Sequence, residues 1–217
     1  ARYGFFTKAS SGIKTMADLK GKRVIMSYRT LALFDDLNRA IIATAGLTES
    51  DITPVAETNV PSAIQALTEG RVDVTASILG IPAHREADAA ISGGTRVVAL
   101  GPDHAPVEAL PSFSIVTMKP GPAAVGITEP MEVPVYDVYL NASEKTPAED
   151  VYEVTKTAYE NWAEMQNTVP ALRATPVETL LPKKISPPFH EGAIRYFKEV
   201  GAWTADHDRQ QAELLKQ

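Results

Sequence analysis

Ser27-Tyr28-Arg29-Thr30 places three hydroxyls beside one guanidinium, a combination suited to holding an oxyanion. The apolar run 23–26 precedes it and an amphipathic pattern follows, so these residues fall where a buried strand hands over to a helix. The free N–H groups of a helix start favour an anion, and Arg29 can clamp a carboxylate through two parallel hydrogen bonds. The opposing reading has Ser27 or Thr30 capping the helix and Arg29 in water, because Asp35 and Asp36 already complement the helix dipole. A second stretch, Ser77 to Pro82, follows the strand expected at 72–76 and precedes a helix expected at 83–92. Gly80 lets a backbone approach a ligand closely and Pro82 shapes the turn. A purely structural turn fits these residues equally well. Tyr136, with Asp137 and Tyr139, belongs to a β-rich run after Pro134, where it faces either a cleft or the core.

Other chemistry is poorly supported. His84, His104, His190 and His207 are far apart and none sits in an HExxH or HxH spacing. Asp206-His207-Asp208 lies on a polar helical stretch, where consecutive side chains point in different directions and do not converge on one ion. There is no GxSxG elbow, P-loop or GxGxxG, and no carboxylate pair placed for acid–base work. The expectation is a binding protein with no catalytic residues, no metal and no cofactor. Cysteine is absent, which excludes disulfides and thiol catalysis.

The elements that must position these residues are legible as a pattern. Strands are expected at 3–7, 23–26, 52–56, 72–76 and 95–100, separated by helical stretches. One helix carries Leu33, Leu37 and Ile41 and stops at Gly46; another opens at Asn59 and stops at Gly70. Strands joined by helices predict an α/β fold with a largely parallel sheet, whose carboxyl edge receives ligands. The middle is rich in proline and glycine, with a strand at 113–118, a break at Pro120-Gly121-Pro122 and a long strand at 133–140. The last third is helical. Thr146, Pro147 and Glu149 form a capping-box pattern ahead of Val151, Val154, Ala158, Trp162 and Met165; helices at 190–200 and 204–216 follow, the latter capped by Thr204. With 44% hydrophobic and 22% charged residues, 217 residues suffice for one domain or two small lobes. The formal charge of −6 argues against nucleic acid and anionic membrane surfaces. No apolar run approaches the roughly 18 residues of a membrane helix.

Several stretches resemble the TAXI-type solute-binding proteins of tripartite ATP-independent periplasmic (TRAP) transporters. They are Ser-Gly-Ile-Lys-Thr-Met-Ala-Asp-Leu-Lys-Gly-Lys-Arg-Val at 11–24, Ala-Gly-Leu-Thr at 45–48, Gly-Arg-Val-Asp at 70–73 and Gly-Ile-Thr-Glu-Pro at 126–130. More specific to that family are Val-Tyr-Glu-Val-Thr-Lys-Thr at 151–157 and Phe-His-Glu-Gly-Ala-Ile-Arg-Tyr-Phe-Lys-Glu-Val-Gly at 189–201. The resemblance implies a type II periplasmic-binding-protein fold of two lobes joined by crossover strands. A small organic acid or amino acid would be captured between the lobes and delivered to TRAP permease subunits, with the protein in the periplasm after removal of a signal peptide. Residues 8–134 would form lobe two. Residues 1–7 and 135–217 would form the hinge strands and the C-terminal part of an incomplete lobe one, since family members carry roughly another hundred residues ahead of Tyr3. Dimerisation or instability is expected if the chain begins there. The family's ligand loop is richer in Gly and Ser than Ser27-Tyr28-Arg29-Thr30, and His-Glu-Gly-Ala stands at 190–193 where the family often has His-Pro-Gly-Ala. The same fold also serves ligand-sensing effector domains of bacterial regulators, which a DNA-binding segment ahead of Ala1 would mark.

Overall fold

The computed structural model describes residues 1–110, 113–121, 124–169, 172 and 175–216, and divides into two units, Ala1–Val138 and Tyr139–Gln217. Pro122 of the expected break lies outside the described residues.

The first unit is built on a five-stranded sheet of order β3-β2-β4-β1-β5: β1 (Tyr3–Lys8), β2 (Arg23–Tyr28), β3 (Thr53–Glu57), β4 (Val74–Ile78) and β5 (Thr95–Val97). β2 pairs in parallel with β3 and β4, as the alternating pattern predicts. β1 runs against both its neighbours, β4 and β5. It therefore belongs to this sheet. Its burial explains the placement: Tyr3, Phe5 and Phe6 are wholly inaccessible, which only a strand paired on both sides and covered on both faces achieves.

Helix α1 (Leu33–Ala43) packs on β2, and α2 (Val60–Thr68) packs on β4 and against α3 (Pro82–Ala90). The inward stripe of α1 is Phe34, Leu37, Ile41 and Ile42, not the expected series from Leu33, which is 60% exposed. Phe34 wins the inner position because its ring stacks on Tyr3 at 4.5 Å between centroids. Asn38, fully buried on the same helix, accepts from the Tyr3 hydroxyl (3.0 Å) and donates to the Met26 carbonyl (3.0 Å), tying α1 to β1 and β2. Asn59 caps α2 by accepting from Ser62 N–H (3.0 Å), Pro61 sits in the first turn, and Gly70 beyond its end adopts φ +77°. At the start of β2 and β4, Asp73 accepts from the Arg23 amide (2.8 Å) and guanidinium (2.7 Å), which holds its carboxyl below the usual range. β6 (Phe113–Met118) and β7 (Met131–Tyr136) form a separate antiparallel pair. The strand expected at 133–140 ends at Tyr136; Val138 and Leu140 beyond it are exposed.

The second unit is helical: α5 (Ala148–Glu160), α6 (Trp162–Thr168), α7 (Glu191–Glu199) and α8 (Ala205–Leu214) follow the short α4 (Ala105–Glu108) of the first unit. Its core gathers Tyr152, Leu181, Ile185, Ala193, Tyr196, Phe197 and Trp203. The expected single helix through Met165 breaks at Asn161, whose side chain and backbone N–H both donate to the Thr157 carbonyl. Its buried members are Tyr152 and Trp162, while Val154 is half exposed. The expected capping box at Thr146 is not made; Pro147 is the cap residue and Glu149 pairs with Arg195 (2.8 Å). Thr204 does cap α8, and His207 reciprocates, its Nδ1 accepting from Thr204 N–H (3.0 Å). α7 meets α5 at Gly192, where a Cβ would stand 2.2 Å from the Ala148 carbonyl oxygen.

Two predictions follow from this packing. Gly192→Ala should cost about 1–3 kcal/mol by forcing α5 and α7 apart. Amide exchange should then rise in those two helices and not in β1–β5; unchanged exchange in both would contradict the close contact. In the first unit, burial pushes the inaccessible His84 imidazole down to about 4, with Asp88 opposing and Arg85 reinforcing. The unfolded chain then binds more protons, so stability is full above about pH 6.5, falls by roughly 3 kcal/mol on going down to about pH 4, and levels below. Denaturant titrations at pH 7, 5.5 and 4.5 check this; a flat profile would mean that His84 is not held neutral by burial.

Candidate functional site

β2, β3 and β4 are parallel, so the starts of α1, α2 and α3 all lie at one edge of the sheet. From β2 the chain crosses to β3 on one side, and from β3 it returns to β4 on the other. The strand order reverses between β2 and β4, which is where open α/β sheets receive ligands. The two loops singled out from the sequence flank that reversal.

The first loop is stapled to the end of β3. Arg29 N–H donates to Glu57 O (3.0 Å), and both the amide (3.3 Å) and the hydroxyl (2.9 Å) of Thr30 donate to Thr58 O. Neither Ser27 nor Thr30 caps α1: the cap residue is Ala32, which contributes no side-chain bond. Arg29 is exposed, and among the described residues its guanidinium has no ion-pair or hydrogen-bond partner. Leu31 and Leu33 beside it are also exposed, at 40% and 60%. Tyr28 departs from the expectation of a ligand-facing hydroxyl. It is buried against Phe34, its hydroxyl donates to the Ala76 carbonyl of β4, and burial pushes its pKa far up. As the last residue of a strand covered on both faces, it fills the gap between β2 and α1 and leaves Arg29 as the first side chain free of the core. One carboxylate oxygen of Asp35, in the first turn of α1, is buried and has no hydrogen-bond partner among the described residues.

In the second loop Ser77 also turns inward: it is inaccessible and donates to the Ile78 carbonyl (2.9 Å). Gly80 has φ +74°, a left-handed turn that favours glycine. Its amide donates to His84 Nδ1 (3.2 Å) and its carbonyl accepts from Arg85 Nε (2.9 Å). Pro82 is the first residue of α3, where its missing N–H costs nothing. Tyr136 closes β7 at the same edge. Its backbone exchanges hydrogen bonds with Ala1, and its ring packs on Phe34 and Phe113 at 6.0 and 5.8 Å. Burial raises its pKa, and among the described residues its hydroxyl has no partner.

The structure thus gathers Arg29, Thr30, Gly80, Pro82 and Tyr136 at one edge and puts Tyr28, Ser77 and most of Ser27 beneath it. Two residues of this edge were not read from the sequence as site residues. Asn59 was visible as a helix start but was not connected to the other two loops. His84 was weighed only as a metal ligand, although its place four residues after Gly80 matches one helical turn. Asp206, His207 and Asp208 have separate partners in Arg209, Thr204 and Trp203. A hollow of about 260 Å³ at the opposite sheet edge is lined by Lys8, Lys22, Arg23 and Asp73. Its cations are largely spent, Arg23 on Asp73 and Lys8 on the Thr68 carbonyl.

Among the described residues no helix is long and apolar enough to cross a membrane. Several solved structures match the chain. The periplasmic aliphatic sulphonate binding protein SsuA from Escherichia coli is 19% identical, with 99% of this chain covering 59% of that one at a TM-score of 0.45. The alkanesulfonate-binding protein SsuA from Xanthomonas axonopodis pv. citri, bound to MOPS, is 19% identical, with 97% and 54% covered and a TM-score of 0.37. An ancestral arginine-binding protein bound to arginine is 19% identical, with 75% and 55% covered and a TM-score of 0.39. The chain therefore spans a little over half the length of each. The model of the NMT1-like family matches residues 3–201, nearly the whole α/β and helical sequence, and the chain belongs to that family.

Proposed function

We propose that this chain supplies part of the binding cleft of an extracytoplasmic solute receptor that captures a small organic acid or amino acid and delivers it to a TRAP permease. The observation that carries the reading is Arg29: an exposed, unpartnered guanidinium among the described residues, at the sheet edge that also carries the starts of three helices. A cation placed there is matched to an oxyanion, and a carboxylate and a sulfonate offer it the same geometry. Exposed Leu31 and Leu33 suit a ligand that carries an apolar body behind its charged group. The motifs at 151–157 and 189–201 support the TAXI assignment and, with it, the permease as partner and the periplasm as location. Capture is non-covalent, with ligand stabilising the closed state of a two-lobed receptor.

The test is a thermal-shift screen of small carboxylates, sulfonates and amino acids, followed by titration of any hit against Arg29→Ala. The variant should unfold within about 0.5 kcal/mol of the parent without ligand, as expected for an exposed side chain. Its affinity for the acid should fall by more than about tenfold, the value of one lost charge-assisted hydrogen bond. Equal affinity in the two proteins would remove Arg29 from the site.

A further inference from the structure

We infer that His84 is the positioning residue of the second loop, its Nδ1 holding the Gly80 amide so that the loop stands in its ligand-receiving shape before any ligand arrives. The inference rests on the reading of this edge as a ligand site, and concerns a residue that never touches the ligand: His84 is wholly inaccessible, its ring stacked on Phe6 at 3.9 Å between centroids.

The direction of every hydrogen bond in this cluster follows from one donor. The Gly80 amide can only donate, so the Nδ1 it meets at 3.2 Å must carry the lone pair and the ring proton must sit on Nε2. Nε2–H then donates to Thr95 Oγ1 (3.1 Å), which frees the threonine hydrogen for Asp88 Oδ1 (2.7 Å). Asp88 Oδ1 also takes the Thr95 amide hydrogen (2.7 Å), so the chain of bonds ends on a carboxylate anchored to β5. No link can be reversed without setting two donors or two acceptors face to face, and a single tautomer results. On the other side of the residue Arg85 Nε donates to the Gly80 carbonyl. Two successive residues of α3 therefore hold the amide and the carbonyl of one glycine.

Gly80 is where such a clamp has most effect. Glycine allows the left-handed turn and close backbone approach, yet it is also the residue with most freedom to leave that conformation. Fixing it from beneath, by groups that do not compete for the ligand, removes the ordering cost from the binding step.

The experiment uses 15N-labelled full chain and two variants. His84→Phe keeps a ring against Phe6 and removes the acceptor; His84→Asn loses the ring and keeps an acceptor for the Gly80 amide. In the parent, Nδ1 should resonate as an unprotonated nitrogen and Nε2 as a protonated one. Exchange of the Gly80 amide should rise about tenfold or more in His84→Phe and stay within about threefold of the parent in His84→Asn. A packing role alone would give the reverse order of damage. Propionate, ethanesulfonate and L-alanine serve as ligand probes, and affinity should follow the same order as exchange. A proton on Nδ1, equal Gly80 exchange in the two variants, or undiminished probe affinity in His84→Phe would each overturn the proposal. If no probe binds the parent, the ligand reading fails separately and the Gly80 exchange still decides the role of His84. Should His84→Phe not fold, Thr95→Val removes the acceptor of Nε2–H with the ring in place, and must raise Gly80 exchange for the proposal to stand.

Discussion

The organisation of the first unit depends on β1 running against β4 and β5. A strand this buried has no water to satisfy its backbone, so every N–H and C=O must find a neighbour, and β1 finds one on each side. Because its direction is opposite, its first residues emerge at the edge where β2 and β4 end. Ala1 and Arg2 are thereby set beside Tyr136 and Leu79, and the end of β7 is drawn to the same place. Asn38 extends the constraint to α1, since one carboxamide takes the Tyr3 hydroxyl and donates to Met26. The candidate site is thus a consequence of strand direction, assembled from residues as far apart in the chain as Arg29, Gly80 and Tyr136.

Much of the α/β half was legible because its signals are local. Asn59 and Pro61 mark a helix start and Gly70 its stop through backbone chemistry that acts within a few residues, and Thr204 does the same for α8. Two of the misreadings arose where a partner distant in sequence decided the outcome. Leu33 and Phe34 are both apolar, and the rings of Tyr3, Tyr28 and Tyr136 select Phe34 for the interior. Thr146 has the type of a cap, yet Glu149 is taken by Arg195 and the box is never closed. The helix through Trp162 fails for a local reason: Asn161 bonds the Thr157 carbonyl and breaks it, and of the five residues expected on its inner face only Trp162 is buried, with Val154 and Met165 exposed.

The site was legible to a similar depth. The position of both loops followed from strand–helix succession alone, and so did the candidacy of Arg29 and Gly80. Which hydroxyls remain available did not, because Tyr28 and Ser77 are spent inside and nothing in their local sequence distinguishes them from outward-facing residues. His84 illustrates the converse. A histidine without a metal-ligand spacing carries no chemical signature, and its importance lies in the single lone pair it presents to a neighbouring turn.

Both tryptophans of the chain, Trp162 and Trp203, lie in the second unit, their indole N–H groups bonded to the Thr175 carbonyl and the Asp208 carboxylate. The first unit contains tyrosine but no indole. Selective excitation of indole fluorescence consequently sees residues 139–217 alone, whereas the tyrosines are shared between the units, Tyr3, Tyr28 and Tyr136 in the first and Tyr139, Tyr152, Tyr159 and Tyr196 in the second. The molecule carries its own optical reporter of one unit: the melting of residues 139–217 can be followed apart from the α/β unit, without a label and without altering a residue.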